Sequence, residues 1–165
     1  MSKIKRFFVL ILIQILIVAA VYPVGMLLKG HVGISINQSE SIKGKIFLVL
    51  KGNKRIIKDD LVVFEVAGDL YFNNKKLLKR VVGVEGDLVI RSGNKYYIND
   101  ELVAIAKDYS QSGERLNKYL VDEITIKKEE YFVIGDHKDS YDSRYFGLLP
   151  SSQIKGKAIR LWGER

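Results

Sequence analysis

The chain has 165 residues, a formal net charge of +8 and no cysteine. That length gives room for one domain with its own core plus an appendage, and the missing cysteine excludes disulfides, thiolate catalysis and cysteine-ligated zinc or iron–sulfur sites. Beyond Lys3, Lys5 and Arg6 the basic residues are spread along the chain, which argues against a nucleic-acid-binding arm, and His31 and His137 are too far apart to suggest a histidine-rich metal site.

After those three basic residues comes FFVLILIQILIVAAVYPVGMLL, residues 7–28, uncharged and with a single amide, Gln14. At about 1.5 Å per residue such a run crosses a hydrocarbon core of about 30 Å, and a helix satisfies its backbone groups internally, as lipid requires. Pro23 and Gly25 predict a bend or an end of this helix near the far interface, where Tyr22 would sit. The preceding basic residues place segment 1–6 in the cytoplasm, residues 7–28 as a single-pass anchor, and residues 29–165 on the extracytoplasmic side. A helix apolar all round is hard to bury in so small a domain, which disfavours a core helix. A cleavable signal peptide is the rival, with Val18-Ala19-Ala20 as a small-residue cleavage site. The continuation of the apolar run to Leu28 favours an uncleaved anchor.

Residues 29–165 read as mostly β. KIFLVL and DLVVFEV are short β-branched runs bounded by turn residues. LLKRVVGVEGDLVIRSGNKYYINDELVAI reads as successive strands, with breaks at Val84–Asp87, Ser92–Lys95 and Asn99-Asp100. DYSQSGERLNKY, residues 108–119, is polar and without period, a loop with at most a helical turn. GKAIRLWG predicts a closing strand with Trp162 in the core. Many short strands with close turns point to a barrel-like or sandwich domain.

Ser39-Glu40-Ser41 reads equally as a polar turn or as the carrier of a reactive hydroxyl. A serine is a weak nucleophile until a nearby base takes its proton. A lysine serves only if its pKa falls well below about 10.4, as burial among apolar groups makes it do. Lys79 fits, because on a strand Leu77 and Val81 share its face; the bland reading is an edge-strand lysine whose amine reaches water. Lys75 and Lys76 follow FNN at a turn, and Lys43 lies beside Gly44, where it is solvated. A third stretch, VIGDHKDSYDSRYFGLLP, crowds Asp136, Asp139, Asp142 and Arg144 around Ser140 and Ser143. It is a loop of ion pairs, a cation-binding loop or a brace for a catalytic lysine; it lacks an EF-hand's closing glutamate.

SES (39–41), LLKRVVGVEGD (77–87) and GDHKDSYDSRYFG (135–147) occur in the order and spacing of the signal peptidase I family, membrane-anchored Ser–Lys proteases, and the chain resembles that family over nearly all of its exported part. IKDDLVVFEV (57–66) is similar to the strand between the serine and lysine segments. The resemblance implies Ser41 as nucleophile and Lys79 as general base. It implies Ser39 and the Ser41 backbone N–H as oxyanion-hole donors, Ser140 as the residue that orients the lysine amine, and Asp142 with Arg144 as a supporting ion pair. It implies no metal and no cofactor, and preprotein substrates cut after a small residue at the membrane surface. Neither histidine is required, since Ser–Lys is a variant of the triad logic.

Four departures stand out: Lys43 where most relatives have proline, Ile42 where methionine or leucine is usual, His137 in place of asparagine, and a loop one residue shorter before Ser140. The size, the single anchor and ESIKGKIFLV resemble the conjugative-transfer branch, which implies pilin-type or other transfer-system substrates and an association with conjugation or secretion machinery. A housekeeping signal peptidase of general secretion is the alternative, and a non-catalytic assembly subunit that kept the fold is a further one.

Overall fold

The computed structural model of the protein describes residues 3–52, 55–66 and 75–163. The FNN turn and the first two residues of segment 1–6 lie outside them. Helix α1 spans Lys3–Lys29. Its stretch Ile4–Lys29 is long and apolar enough to cross a membrane by length and composition, and none of it is buried against the rest of the protein. Of the bend or end expected at Pro23 and Gly25, no end occurs there: the helix runs through both to Lys29. A proline removes one donor from the ladder, and the turns on either side keep their own hydrogen bonds.

Eleven strands follow among the described residues: β1 (Val32–Ile36), β2 (Ile46–Lys51), β3 (Leu61–Glu65), β4 (Lys76–Gly83), β5 (Leu88–Ser92), β6 (Lys95–Ile98), β7 (Glu101–Ile105), β8 (Glu123–Thr125), β9 (Glu130–Ile134), β10 (Leu149–Pro150) and β11 (Ile154–Trp162). A short helix, α2 (Ser143–Phe146), lies between β9 and β10. The strands form a seven-stranded sheet in the order β1-β2-β11-β3-β4-β9-β10 and a four-stranded sheet in the order β7-β6-β5-β8. The domain is mostly β, and the three expected turns join β4 to β5, β5 to β6 and β6 to β7.

Strand β4 ties the interior together. Leu78 packs with Ile42, Phe47 and Val63, Val81 with Val62, Phe64 and Val133, and Val82 with Tyr96, Ile98, Ile126 and Phe132 over the smaller sheet. Gly83 ends the strand where a Cβ would lie 2.7 Å from Ile126 and 2.9 Å from Ile98, so the two sheets meet at a position that admits no side chain.

One expectation needs correction. Trp162 is not in the core but 62% exposed. A bulge between Arg160 and Trp162 shifts the register of β11 against β2, and the indole lies outside with the Lys45 ammonium 5.6 Å from its centre. The 108–119 segment is the expected polar loop, without a helical turn. It doubles back as a tight polar excursion, with the Ser110 N–H donating to the Glu114 carbonyl at 2.8 Å and a bridge between Tyr109 and Arg115.

Candidate active site

Asn37 shapes the serine segment. Its Oδ1 accepts from the Ser39 N–H at 3.2 Å and the Ser39 hydroxyl at 3.1 Å, and its Nδ2 donates to the carbonyls of Ile42 at 2.7 Å and Gly44 at 3.2 Å. An asparagine bonding to the backbone two residues on is an Asx-turn, so residues 39–43 form a turn and not an extended strand. Ile42, 1% exposed, plugs this turn into the core beside Phe47 and Leu78. Ser41 is half-buried, and Ser39 and Glu40 are exposed.

Lys79 lies on β4 opposite Val62 of β3 and is 3% exposed. Burial lowers its amine from 10.5 to about 8; Asp142 pulls it back up, Arg144 pushes it down and Asp136 pulls it up. The edge-lysine reading fails on this burial, since a lysine covering an edge with its amine in solvent would be far more exposed than 3%.

The loop from Gly135 to Gly147 closes the site. The Asp136 N–H donates to the Ser41 carbonyl at 2.6 Å. The Asp136 carboxylate accepts from the Lys43 N–H at 3.4 Å and from Arg80 at 3.3 and 3.4 Å. A Cβ added to Gly135 would overlap the Ser140 hydroxyl and lie 2.8 Å from the Ser41 carbonyl oxygen, so glycine is what lets the two serine segments close on one another. Asp142 and Arg144 form a buried bidentate pair with both contacts at 2.7 Å. Asp142 also accepts from the Gly135 N–H at 2.9 Å and caps α2. Arg144 donates to the carbonyls of Ser140 and of Ile105 on β7, each at 2.8 Å.

Ser35, Asn37, Ser39 and Ser41 line a cleft of about 340 Å³ together with Leu77 and Lys79 of β4 and Asp139 and Tyr141 of the Gly135–Gly147 loop. The six candidate residues thus divide: Ser39, Ser41 and Lys79 open on the cleft, and Ser140, Asp142 and Arg144 are buried behind it. Among the described contacts no hydrogen bond joins the Ser41 hydroxyl to the Lys79 amine, and the buried Ser140 hydroxyl has no partner. Such contacts are often long in a free enzyme and tighten with substrate. Residues 76–79 of β4 pair with β3 but not with β9, whose pairing begins at Arg80, and β1 is the outermost strand of its sheet. Two strand edges therefore flank the cleft, each able to take an extended peptide.

Sequence reasoning missed Asn37 and left Asp136 without a role. Asn37 had a signal, an Asx residue two positions before Ser39. Asp136 had none, because its partner Arg80 is 56 residues away.

A family model described as signal peptidase, peptidase S26, matches residues 4–162. The chain is 29% identical over 137 residues to signal peptidase I V of Bacillus subtilis (strain 168), covering 75% of this chain and 78% of that protein. It is 28% identical over 109 residues to a probable signal peptidase I-2 of Synechocystis, covering 64% of this chain and 48% of that protein. A solved signal peptidase I from Enterococcus faecalis V583 aligns with a TM-score of 0.42 at 25% identity, over 64% of this chain and 97% of that one. The chain spans about half the length, or less, of several curated relatives that it matches, 48%, 27% and 52% in three cases.

Proposed function

Because the chain belongs to the signal peptidase family, peptidase S26, we propose that it is a membrane-anchored serine endopeptidase that removes signal or leader peptides from exported preproteins, with Ser41 as nucleophile and Lys79 as general base. The observation that carries this reading is a lysine amine buried to 3% exposure, lowered to about 8 and opening on the same cleft as Ser41. An amine so lowered is neutral often enough near pH 7–8 to take a proton.

In the reaction, Lys79 takes the Ser41 proton as Oγ bonds to the scissile carbonyl carbon. The oxyanion is held by the Ser41 N–H and by the Ser39 hydroxyl, which turns from Asn37 toward it; one such donor contributes roughly 3 kcal/mol. Collapse breaks the C–N bond, and Lys79 returns its proton to the departing amine. Water, deprotonated by the same lysine, then attacks the ester and frees Ser41. Ser140 orients the amine, and Asp142 with Arg144 fixes the Ser140 carbonyl and the loop.

The apolar helix fits a membrane-anchored enzyme, and the domain carries a face that suits lipid. Ile34 pairs with Leu48, which pairs with Ile159; Ile36 pairs with Ile46, which pairs with Trp162. Ile34, Ile36 and Trp162 are 73%, 70% and 62% exposed, and β1 begins three residues after α1 ends. We place Lys3, Lys5 and Arg6 in the cytoplasm and residues 29–165 outside, with this face against the bilayer.

The finer reading, supported by the resemblance of ESIKGKIFLV, is that the substrates are pilin-type or other conjugative-transfer preproteins. Lys43 does not favour a non-catalytic subunit: its N–H is a donor to Asp136, a bond that proline could not make. Co-expression with preproteins from the same operon and with a general secretory preprotein tests both levels. Cleavage by wild type and none by Ser41→Ala is expected, with the operon's own preproteins cut preferentially. Full activity in Ser41→Ala overturns the mechanism, and equal cleavage of all preproteins overturns the finer assignment.

A further inference from the structure

The cleft that holds Ser41 and Lys79 does not end at Asp139 and Tyr141. The same two residues line a second groove of about 480 Å³, whose other walls include Tyr109, Glu114, Leu116 and Tyr145. The catalytic cleft and this groove thus have the Ser140 loop as a common border. The cleft is bordered by the strand edges of β1 and β4, the groove by the polar excursion after β7.

The excursion is fastened to the catalytic loop at three points. Lys107 pairs with the Asp139 carboxylate, Gln111 Nε2 donates to the same carboxylate at 2.7 Å, and the Lys107 N–H donates to the Tyr145 hydroxyl at 3.0 Å. These bonds hold Asp139 below its usual carboxylate range and set the excursion as a wall of the groove. The lining is more aromatic than the segment's polar sequence suggests. Tyr141 stacks on Tyr145 with ring centres 5.4 Å apart and planes 4° apart, Tyr109 is 60% exposed, and Leu116 joins them. Ser140, 2% exposed and with an unpartnered hydroxyl, belongs to the same wall.

We infer that this groove binds the polypeptide on the C-terminal side of the scissile bond, taking an apolar or aromatic side chain within the first few residues of the mature protein between Tyr109, Leu116 and Tyr141. The inference rests on the peptidase reading. A chain seated along the β1 and β4 edges up to its scissile carbonyl has to leave the reacting atoms on the far side of Ser41 and Lys79. The groove that shares Asp139 and Tyr141 with the cleft is the adjoining space open to it. Tyrosine rings offer a rigid, amphipathic surface that holds an apolar side chain at low entropic cost. Specificity on this side would then reside in the excursion, a part of the chain separate from the strands that read residues before the cut.

The test uses full-length protein in detergent micelles and two substrates with the same residues before the cut. One continues through a phenylalanine two residues beyond it, and the other ends in a simple ester at the cut. The ratio of their kcat/KM values should fall about tenfold in Tyr109→Ala and in Leu116→Ala; an unchanged ratio overturns the inference. A second measurement is independent of catalysis: binding of the amine product, a peptide that starts at the residue after the cut. Its affinity should be the same in wild type and Ser41→Ala and at least fivefold weaker in Tyr109→Ala. Product binding that is absent from wild type, or indifferent to Tyr109→Ala, overturns the groove assignment, whereas a wild type that binds product but cuts neither substrate overturns only the peptidase reading.

Discussion

Arg80 reaches from β4 to Asp136, Nε to Oδ1 at 3.3 Å, and so connects the strand that carries Lys79 to the loop that grips the Ser41 turn. Lys79 and Arg80 point to opposite faces of one strand. The lysine faces inward to the cleft, and the arginine fixes where that strand sits relative to the Ser41 turn. Asp136→Ala should therefore lower kcat by about 10- to 100-fold, as a shift of roughly 1 Å at reacting groups does, with KM changed less. The pair is about a quarter exposed on each side, so the stability cost should stay near 1 kcal/mol. Steady-state kinetics and urea unfolding separate the two effects. A double-mutant cycle with Arg80→Ala should show the two losses overlapping.

The lysine's lowered pKa fixes a pH dependence. With Lys79 as the proposed base only its neutral amine can accept the Ser41 proton, so kcat/KM should climb about tenfold per pH unit and level off above about 8. Stability follows from the same shift. Between about 8 and 10.5 the unfolded chain holds a proton that the folded chain has released, so stability rises with pH across that window. The cost of burying the charged amine is fully present below it. Lys79→Met should abolish cleavage and raise stability at pH 7 by up to about 3 kcal/mol. Urea unfolding at pH 7 and pH 9.5 checks this: wild type should gain stability at the higher pH, and the variant should lack that gain.

How far the sequence carried the site depends on how local each signal was. The burial of Lys79 was readable because its apolar neighbours, Leu77 and Val81, are two residues away on the same strand. The Asp142–Arg144 contact is equally local, two positions apart. Asp136 was opaque because its meaning depends on Arg80 and on the Ser41 carbonyl, both distant in sequence. Trp162 was misread because large aromatics are usually buried, and only the bulge beside it reveals which way the strand turns. The strands from Leu88 to Ile105 were legible one by one, but nothing in their pattern said that they form a sheet of their own over Val82 and Phe132.

The Asp142–Arg144 pair should be hard to break from one side. Asp142 is fully buried and Arg144 is 3% exposed, and removing one partner of a buried pair leaves an uncompensated charge, at a cost of about 3–5 kcal/mol. Arg144→Met should lower the urea midpoint accordingly. Arg144→Lys should recover only part of the loss, because an ammonium cannot reproduce the two parallel contacts to Asp142 while also reaching the Ile105 and Ser140 carbonyls.

The exposed apolar ladder gives a spectroscopic prediction. Trp162 is the chain's single tryptophan, so its fluorescence reports on this face alone. In protein reconstituted into anionic vesicles, its emission should shift to the blue and be quenched by brominated lipid. Ile36→Asp places a charge in the same cross-strand row and should weaken that quenching while α1 keeps the protein in the membrane. Quenching equal to wild type in the variant would show that the face does not touch lipid.

Gly135 has no room for a side chain between Ser140 and the Ser41 carbonyl, and its substitution separates two contacts. In Gly135→Ala the new methyl meets both the Ser140 side chain and the Ser41 carbonyl. Overpacking of this kind costs about 1–3 kcal/mol, and the displaced turn should reduce kcat by roughly 100-fold or more. Adding Ser140→Gly removes one of the two collisions. If the Ser140 clash dominates, the double variant should regain stability toward wild type while activity stays low for want of the Ser140 hydroxyl. If the Ser41 carbonyl dominates, neither property should recover, because that oxygen must keep its 2.6 Å bond to the Asp136 N–H and has nowhere to move. Unfolding curves and steady-state rates for the single and double variants distinguish these outcomes, and a Gly135→Ala protein with wild-type kcat would show that the two serine segments need not be held this close.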